Sequence, residues 1–222
     1  IKAKDKLLER MVAIKILSED LAGYDEARDI FMREARSLAT LSHRNLVSVY
    51  DVIDAGSRPM MVTEFVDGMS LEEAIKSETA LPQSTVLEIA VQTARAIEYL
   101  HGEGLIHRDL KPGNIMLQGD GSLKIIDFGL ARSLEHLSNK GTRVRGTPAY
   151  MAPEQIQGGN LTGAVDIYQL GVTLHEVASG SLPFSDGDVG YKHVHEEPPF
   201  LGDLVPNILP GLAELVHACL SK

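Results

Sequence analysis

The stretch that decides the fold is His107-Arg-Asp-Leu-Lys-Pro-Gly-Asn114. It gathers a histidine, two cations, a carboxylate and an amide, and Pro112-Gly113 marks it as a loop. Upstream, Pro82 to Glu103 reads as a long helix. Ala90, Thr93, Ala94, Ile97 and Leu100 form its apolar stripe, and Gly102 and Gly104 stop it. Downstream, Ile115–Gln118 and Ser122–Ile126 flank Gly119-Asp120-Gly121, which predicts a hairpin. That hairpin leads into Asp127-Phe128-Gly129.

Composition sets the outer bounds. The 222 residues include 21 Lys+Arg and 31 Asp+Glu, a net charge of −10, with 44% hydrophobic and 23% charged residues. Such a chain can bury one sizeable core or two modest ones. The acidic balance argues against nucleic acid as a partner, and against an anionic membrane surface. No uncharged apolar run approaches the roughly 18 residues of a membrane span. Ile1–Lys15 is too charged for a signal peptide. A lone cysteine, Cys219, excludes an internal disulfide and a cysteine zinc cage, and reads as a buried small apolar residue.

The first sixty or so residues read as strands around one helix. Met11–Leu17, Leu46–Ile53 and Met60–Phe65 are short and β-branched, and Asp25 to Thr40 carries Ala27, Ile30, Phe31, Ala35 and Leu38 at helical spacing. Val66-Asp67-Gly68 breaks that pattern, and helices follow. Ser70-x-x-Glu73 has the form of a capping box. Thr162 to Gly180 is apolar nearly all round and should be buried, so its first acid, Asp166, must be hydrogen-bonded. His193-Val-His195 has the look of a metal pair, but its setting, HVHEEPP, reads as a short helix and loop.

Four motifs stand in order: VAIK at Val12–Lys15, HRDLKPGN at His107–Asn114, DFG at Asp127–Gly129, and GTPAYMAPE at Gly146–Glu154. Together they resemble the signature set of the protein kinases, across almost the whole chain. The resemblance implies an α+β bilobal protein-kinase fold, with a β-rich N-lobe over 1–63, a hinge over 64–68 and a mostly helical C-lobe over 69–222. It implies ATP as the phosphoryl donor and Mg2+ as the metal, with Mn2+ as a substitute.

Phosphoryl transfer needs little covalent help. It needs negative charge neutralised and two oxygens held in line. The family pattern assigns Asp109 to the substrate hydroxyl, as base or orienting group, and Lys111 to the charge on the moving phosphoryl. It assigns Asn114 and Asp127 to the metal, whose hard character suits carboxylate and amide oxygens. Lys15 would hold the α- and β-phosphates, positioned by Glu34. Ala13 and Met116 would sandwich the adenine, the backbone of Glu64 and Val66 would hydrogen-bond it, and Thr63 would guard the pocket behind. Leu38, His107 and Phe128 fit the family's internal apolar stack, and Asp166 its support for the backbone around the HRD motif. Lys111 and Thr147 match the serine/threonine class.

The implied activity is transfer of the γ-phosphate of ATP to serine or threonine hydroxyls of proteins, including other copies of the chain in trans. The alternative is a kinase-fold nucleotide-binding or scaffolding module without turnover. A P-loop NTPase is excluded by the lack of GxxxxGK[ST]. The sequence also departs from the family. No G-x-G-x-x-G is present, and its expected place is upstream of Ile1 in a longer chain, the alternative being a degraded kinase without that lid. The arginine that pairs with Glu154 in the family would fall just beyond Lys222. Phe184 to His195 is a few residues shorter than in the relatives it resembles.

GTPAYMAPEQ, VDIYQLGVTLHEVASGSLPF and YKHVHEEPP are similar to bacterial receptor-like serine/threonine kinases. That implies a cytoplasmic module of a membrane-anchored protein, with no membrane contact within this chain. Arg108 before the aspartate is a mark of kinases regulated through the activation segment. A phosphate brings about −1.5 to −2 charge and pairs with guanidinium groups. Arg108 and Arg132 are the receiving pair and Thr142 the best acceptor, ahead of Ser138 and Ser133. Thr142→Ala should lower activity and abolish the phosphorylation-dependent protection of the segment from Asp127 to Glu154 in hydrogen exchange; full activity with unchanged protection contradicts this.

Overall fold

The β-branched run after Glu9 forms the central strand of a four-stranded antiparallel sheet. In this computed structural model, which describes residues 1–54, 58–78, 80–128 and 148–222, the strands are β1 (Lys2–Asp5), β2 (Arg10–Ile16), β3 (Val49–Ile53) and β4 (Met60–Glu64), in the order β1-β2-β4-β3. The β2–β4 register sets Ala13 opposite Thr63 and Lys15 opposite Met61. Leu46 and Val47 are buried; Leu46 makes an isolated bridge, and the continuous strand begins only at Val49, with a register shift between Val49 and Asp51. The strand expected from Leu46 is therefore shorter, its first residues filling core space ahead of the continuous ladder. A short helix α1 (Glu19–Ala22) precedes α2 (Asp25–Ala39), which buries Ala27, Phe31, Ala35 and Leu38. Ile30 is only half-buried.

These elements belong to a first compact unit, Ile1–Asp67. The second comprises Gly68–Phe128 and 148–222. Its three-stranded sheet runs β5 (Gly68–Ser70), β6 (Ile115–Gln118), β7 (Leu123–Ile125). Gly68, expected only to break the pattern, opens β5 because its backbone lies so close to the Leu117 carbonyl that a Cβ would overlap it. The predicted hairpin is β6–β7, turning at Gly121 with φ +82°. The capping box also forms, at the start of α3 (Leu71–Glu78). Ser70 N–H donates to Glu73 Oε2 at 2.8 Å, and Glu73 N–H to Ser70 Oγ at 3.2 Å.

Helix α4 (Gln83–Gly102) buries Val86, Ile89, Ala90, Thr93, Ala96, Ile97 and Leu100. Ala94, expected on that stripe, is exposed. A 3.6-residue turn carries the buried face from Thr93 to Ala96 and Ile97, and Ala94 falls outside it. After the short α5 (Pro153–Gln157) comes α6 (Ala164–Ser179), buried along nearly its whole length and closed by Gly180 at φ +75°. It packs against α4 and against α9 (Pro210–Cys219). Cys219 is half-buried rather than fully enclosed, and sits where Gly171 lets the two helices approach: a Cβ on Gly171 would come within 2.8 Å of the Cys219 Cβ.

Between α6 and α9 lie α7 (Val189–His195) and α8 (Leu201–Leu204). His193 is fully buried and both ring nitrogens are engaged within the protein. Its Nε2 lies 3.1 Å from the Ala149 carbonyl, an acceptor only, so this nitrogen carries the hydrogen, while the Tyr168 hydroxyl donates to Nδ1 at 2.8 Å. Burial pushes the imidazole pKa down to about 4. The unfolded chain, titrating near 6.5, binds the extra proton first as pH falls, so the stability His193 contributes is present above about pH 6.5 and is lost toward pH 4. From pH 7.5 to 4.5 the wild type should lose roughly 2–3 kcal/mol more unfolding free energy than His193→Gln, read from urea melts; parallel pH slopes contradict this.

Candidate active site

A buried carboxylate organises the loop. Asp166, in the first turn of α6, has no solvent exposure. Its Oδ2 accepts the His107 N–H at 2.8 Å, its Oδ1 the Arg108 N–H at 2.8 Å, and His101 Nε2 lies 2.9 Å from Oδ2. An acid on an apolar helix thus acquires the donors that burial demands. Arg108 is held at φ +66°, a conformation uncommon for a side-chain-bearing residue, and the chain turns sharply there.

The turn presents Asp109 beside Lys111 and Asn114. Lys111 Nζ donates to Asp109 Oδ2 at 2.9 Å. Asn114 Nδ2 donates to the Asp109 carbonyl at 2.7 Å and to Oδ2 at 3.0 Å. Because the carbonyl can only accept, the orientation of the Asn114 amide is fixed, with Oδ1 directed away from Asp109. Asn114 ends a 3₁₀ turn, Pro112–Asn114, where β6 begins. Its own carbonyl accepts the Ile126 N–H at 2.8 Å, extending the β6–β7 pairing of Ile115 with Ile125 by one step. Asp127 follows directly, exposed and at φ +60°.

The amide oxygen of Asn114 and the carboxylate of Asp127 are therefore carried on neighbouring backbone at one end of the hairpin. Hard oxygen donors of this kind fit a divalent cation that completes its shell with phosphate oxygens. Behind them, His107 packs on Phe128 with ring centroids 5.2 Å apart. Burial pushes the His107 pKa down, so the ring stays neutral, and its Nδ1 lies 3.3 Å from the Asp109 N–H.

The remaining expected site residues lie elsewhere. Ala13 and Lys15 are half-buried on β2 and Glu34 half-buried on α2. Thr63 is buried on β4, its hydroxyl 3.3 Å from the Glu64 carbonyl and 3.5 Å from that of Ala13. Glu64 ends β4 and accepts the Ser48 N–H at 3.3 Å, and Val66 is buried. Leu38 is buried on α2. All these belong to the first unit, whereas Met116 lies on β6 in the second, opposite Ser70. Arg132, Thr142 and Thr147 lie outside the described residues, as do Ser133 and Ser138.

Residues 1–222 match the family described as the protein kinase domain. This chain belongs to that family. The kinase domain is 37% identical over 219 residues to a probable serine/threonine-protein kinase PknB of Lactococcus lactis, covering 96% of this chain and 35% of that protein. It is 36% identical over 230 residues to the serine/threonine-protein kinase PknB of Mycolicibacterium smegmatis, covering 99% and 37% respectively. It is 38% identical over 207 residues to PknB of Mycobacterium tuberculosis, covering 88% and 33%. The chain thus spans about a third of the length of these relatives, which are serine/threonine-protein kinases by name, and protein kinases as a family use ATP with a divalent metal. Among the described residues, no helix of this kinase domain is long and apolar enough to cross a membrane.

Three polar residues of the site escaped the reading of the sequence: His101, which reaches Asp166 from the last turn of α4, and the glutamines Gln155 and Gln169. Gln169 could have been found, since it lies one helical turn from Asp166 in the same apolar run. Asp166→Asn replaces one acceptor by a donor facing a backbone N–H. Urea unfolding should show a loss of about 2–4 kcal/mol; a loss below about 0.5 kcal/mol contradicts the role given to this carboxylate.

Proposed function

We propose that the protein is an ATP- and Mg2+-dependent serine/threonine kinase that phosphorylates protein hydroxyls, its own copies in trans among them. The observation that carries this is the Asp109–Lys111–Asn114 cluster, with Asp127 just past the end of the paired strand β7. In this reading Asp109 accepts the hydrogen bond of the substrate hydroxyl and takes up its proton as the hydroxyl oxygen attacks. Lys111, tied to the same carboxylate, offsets charge on the phosphoryl oxygens. Asn114 and Asp127 would hold the metal, Mg2+ or Mn2+ in its place, and when bound it would offset negative charge on the phosphates.

Lys15, oriented by Glu34, steadies the α- and β-phosphates. Ala13 and Met116 enclose the adenine, the backbone of Glu64 and Val66 reads its edge, and Thr63 limits the depth of the pocket. Arg108 and Arg132 receive a phosphate on Thr142 when the segment is switched on, and Thr147, with Lys111, goes with serine/threonine specificity. The division of the fold into an N-lobe over 1–63, a hinge over 64–68 and a C-lobe over 69–222 belongs to the same reading. So does a cytoplasmic setting within a longer, membrane-anchored protein that does not engage nucleic acid.

The test is phosphate transfer from radiolabelled ATP, with Mg2+, by the full-length protein to itself and to a generic basic protein, followed by phosphoamino-acid analysis. Label on serine and threonine is expected, and Asp109→Asn should reduce kcat by about 10²–10⁴-fold with little change in nucleotide affinity. Nucleotide binding without any transfer overturns the proposal in favour of a scaffolding module.

A further inference from the structure

Asp166 secures the loop ahead of Asp109, and a second device secures it on both sides. Gln169 lies one turn along α6 and is fully buried. Its Oε1 accepts the Leu110 N–H at 2.8 Å. Its Nε2 donates to the Arg108 carbonyl at 3.1 Å and to Gln155 Oε1 at 3.0 Å. Gln155, on α5, donates from Nε2 to the same Arg108 carbonyl at 2.9 Å and accepts the Ala152 N–H at 3.0 Å. A backbone N–H only donates and a carbonyl only accepts, so the orientation of both amides is dictated by the main chain and neither can be flipped. Every hydrogen of the Gln169 amide is used.

We infer that Gln169 and Gln155 form a positioning pair that sets the orientation of Asp109 by gripping the backbone of Arg108 and Leu110, and that ties this orientation to the helix start at Ala152. The inference rests on the proposed kinase activity, because its catalytic consequence is expressed through Asp109. The physical reason is the conformation of Arg108. At φ +66° the peptide that follows it is turned away from ordinary extended or helical geometry. The N–H of Arg108 is fixed by Asp166, but the plane of the next peptide, which carries the Asp109 N–H, is fixed through the Arg108 carbonyl. Two amide donors converge on that oxygen. On the other side, the Leu110 N–H fixes the peptide that leaves Asp109. Both peptide planes around the carboxylate-bearing residue are thereby held by one glutamine, alongside His107 and Asn114, and its partner Gln155 brings in the segment that follows Ala149-Tyr150-Met151. A shift at the start of α5 is transmitted to Asp109 through two hydrogen bonds.

The pair is a positioning device and not a catalytic one, so its variants should separate turnover from binding. The full-length protein is compared with Gln169→Met and Gln155→Met, near-isosteric changes that remove the amides without leaving a large cavity. With saturating Mg2+, Gln169→Met should lower kcat about 10–100-fold while KM for ATP stays within about twofold, and Gln155→Met about 3–10-fold, since Gln169 still holds the Arg108 carbonyl. The double variant should be close to Gln169→Met alone, because the two act through one oxygen. A readout independent of activity accompanies these. Amide exchange at Leu110 should accelerate at least about tenfold in Gln169→Met and stay near the wild-type rate in Gln155→Met, because only Gln169 touches that N–H.

Wild-type kcat in both single variants, or unchanged Leu110 exchange in folded Gln169→Met, overturns the inference. Should Gln169→Met fail to fold, the kcat of Gln155→Met decides alone, and a value within twofold of the wild type overturns it. An inactive wild type with the predicted exchange pattern counts against the proposed activity and leaves the positioning pair standing.

Discussion

The structure of the second unit depends on an anion in the wrong place. A carboxylate with no contact with water, on a helix buried along nearly its whole length, is tolerable only while hydrogen-bond donors surround it. Asp166 meets that demand by taking the backbone N–H groups of two consecutive residues, His107 and Arg108, and so determines where the loop can lie. The requirement works in both directions. The loop contains a left-handed residue that costs of order 1–3 kcal/mol by itself, and it keeps that shape because releasing it would strand the buried charge.

A loop held this firmly can carry a dense set of charges without rearranging. Lys111 and Asn114 each come within 3.0 Å of Asp109 through interactions that orient as well as attract. The Asn114 amide nitrogen faces Asp109 and its oxygen is turned the other way. The hairpin then brings Asp127 onto backbone neighbouring Asn114 through main-chain pairing. Phosphoryl transfer asks for fixed charge and fixed geometry, and this arrangement supplies both from backbone constraints rather than from flexible surface side chains.

Much of this could be read from the chain. Helical spacing marked α2, turn glycines marked the β6–β7 hairpin, and Ser70 with Glu73 marked the start of α3, because each of these signals is local. The ordered motifs named Asp109, Lys111, Asn114 and Asp127 together. What escaped was decided by tertiary contact. Ala94 has the right residue type for the buried face of α4 but the wrong angle, and Leu46 fills the core ahead of the continuous strand. Gly68 reads as a breaker until the neighbouring strand is known, and then its missing side chain becomes the reason for the pairing. Gln155 and Gln169 are unremarkable as letters, and their roles come from an oxygen at position 108 that only the fold brings to them.

The most direct test of the account is a crystal structure of the full-length protein with Mg2+ and a non-hydrolysable ATP analogue. The account predicts a metal ion bound by the Asn114 amide oxygen and an Asp127 carboxylate oxygen at about 2.0–2.1 Å, with the Lys15 ammonium on the α- and β-phosphates and Asp109 facing the terminal phosphate. A nucleotide seated away from Asn114 and Asp127, or a metal that neither residue touches, would contradict it.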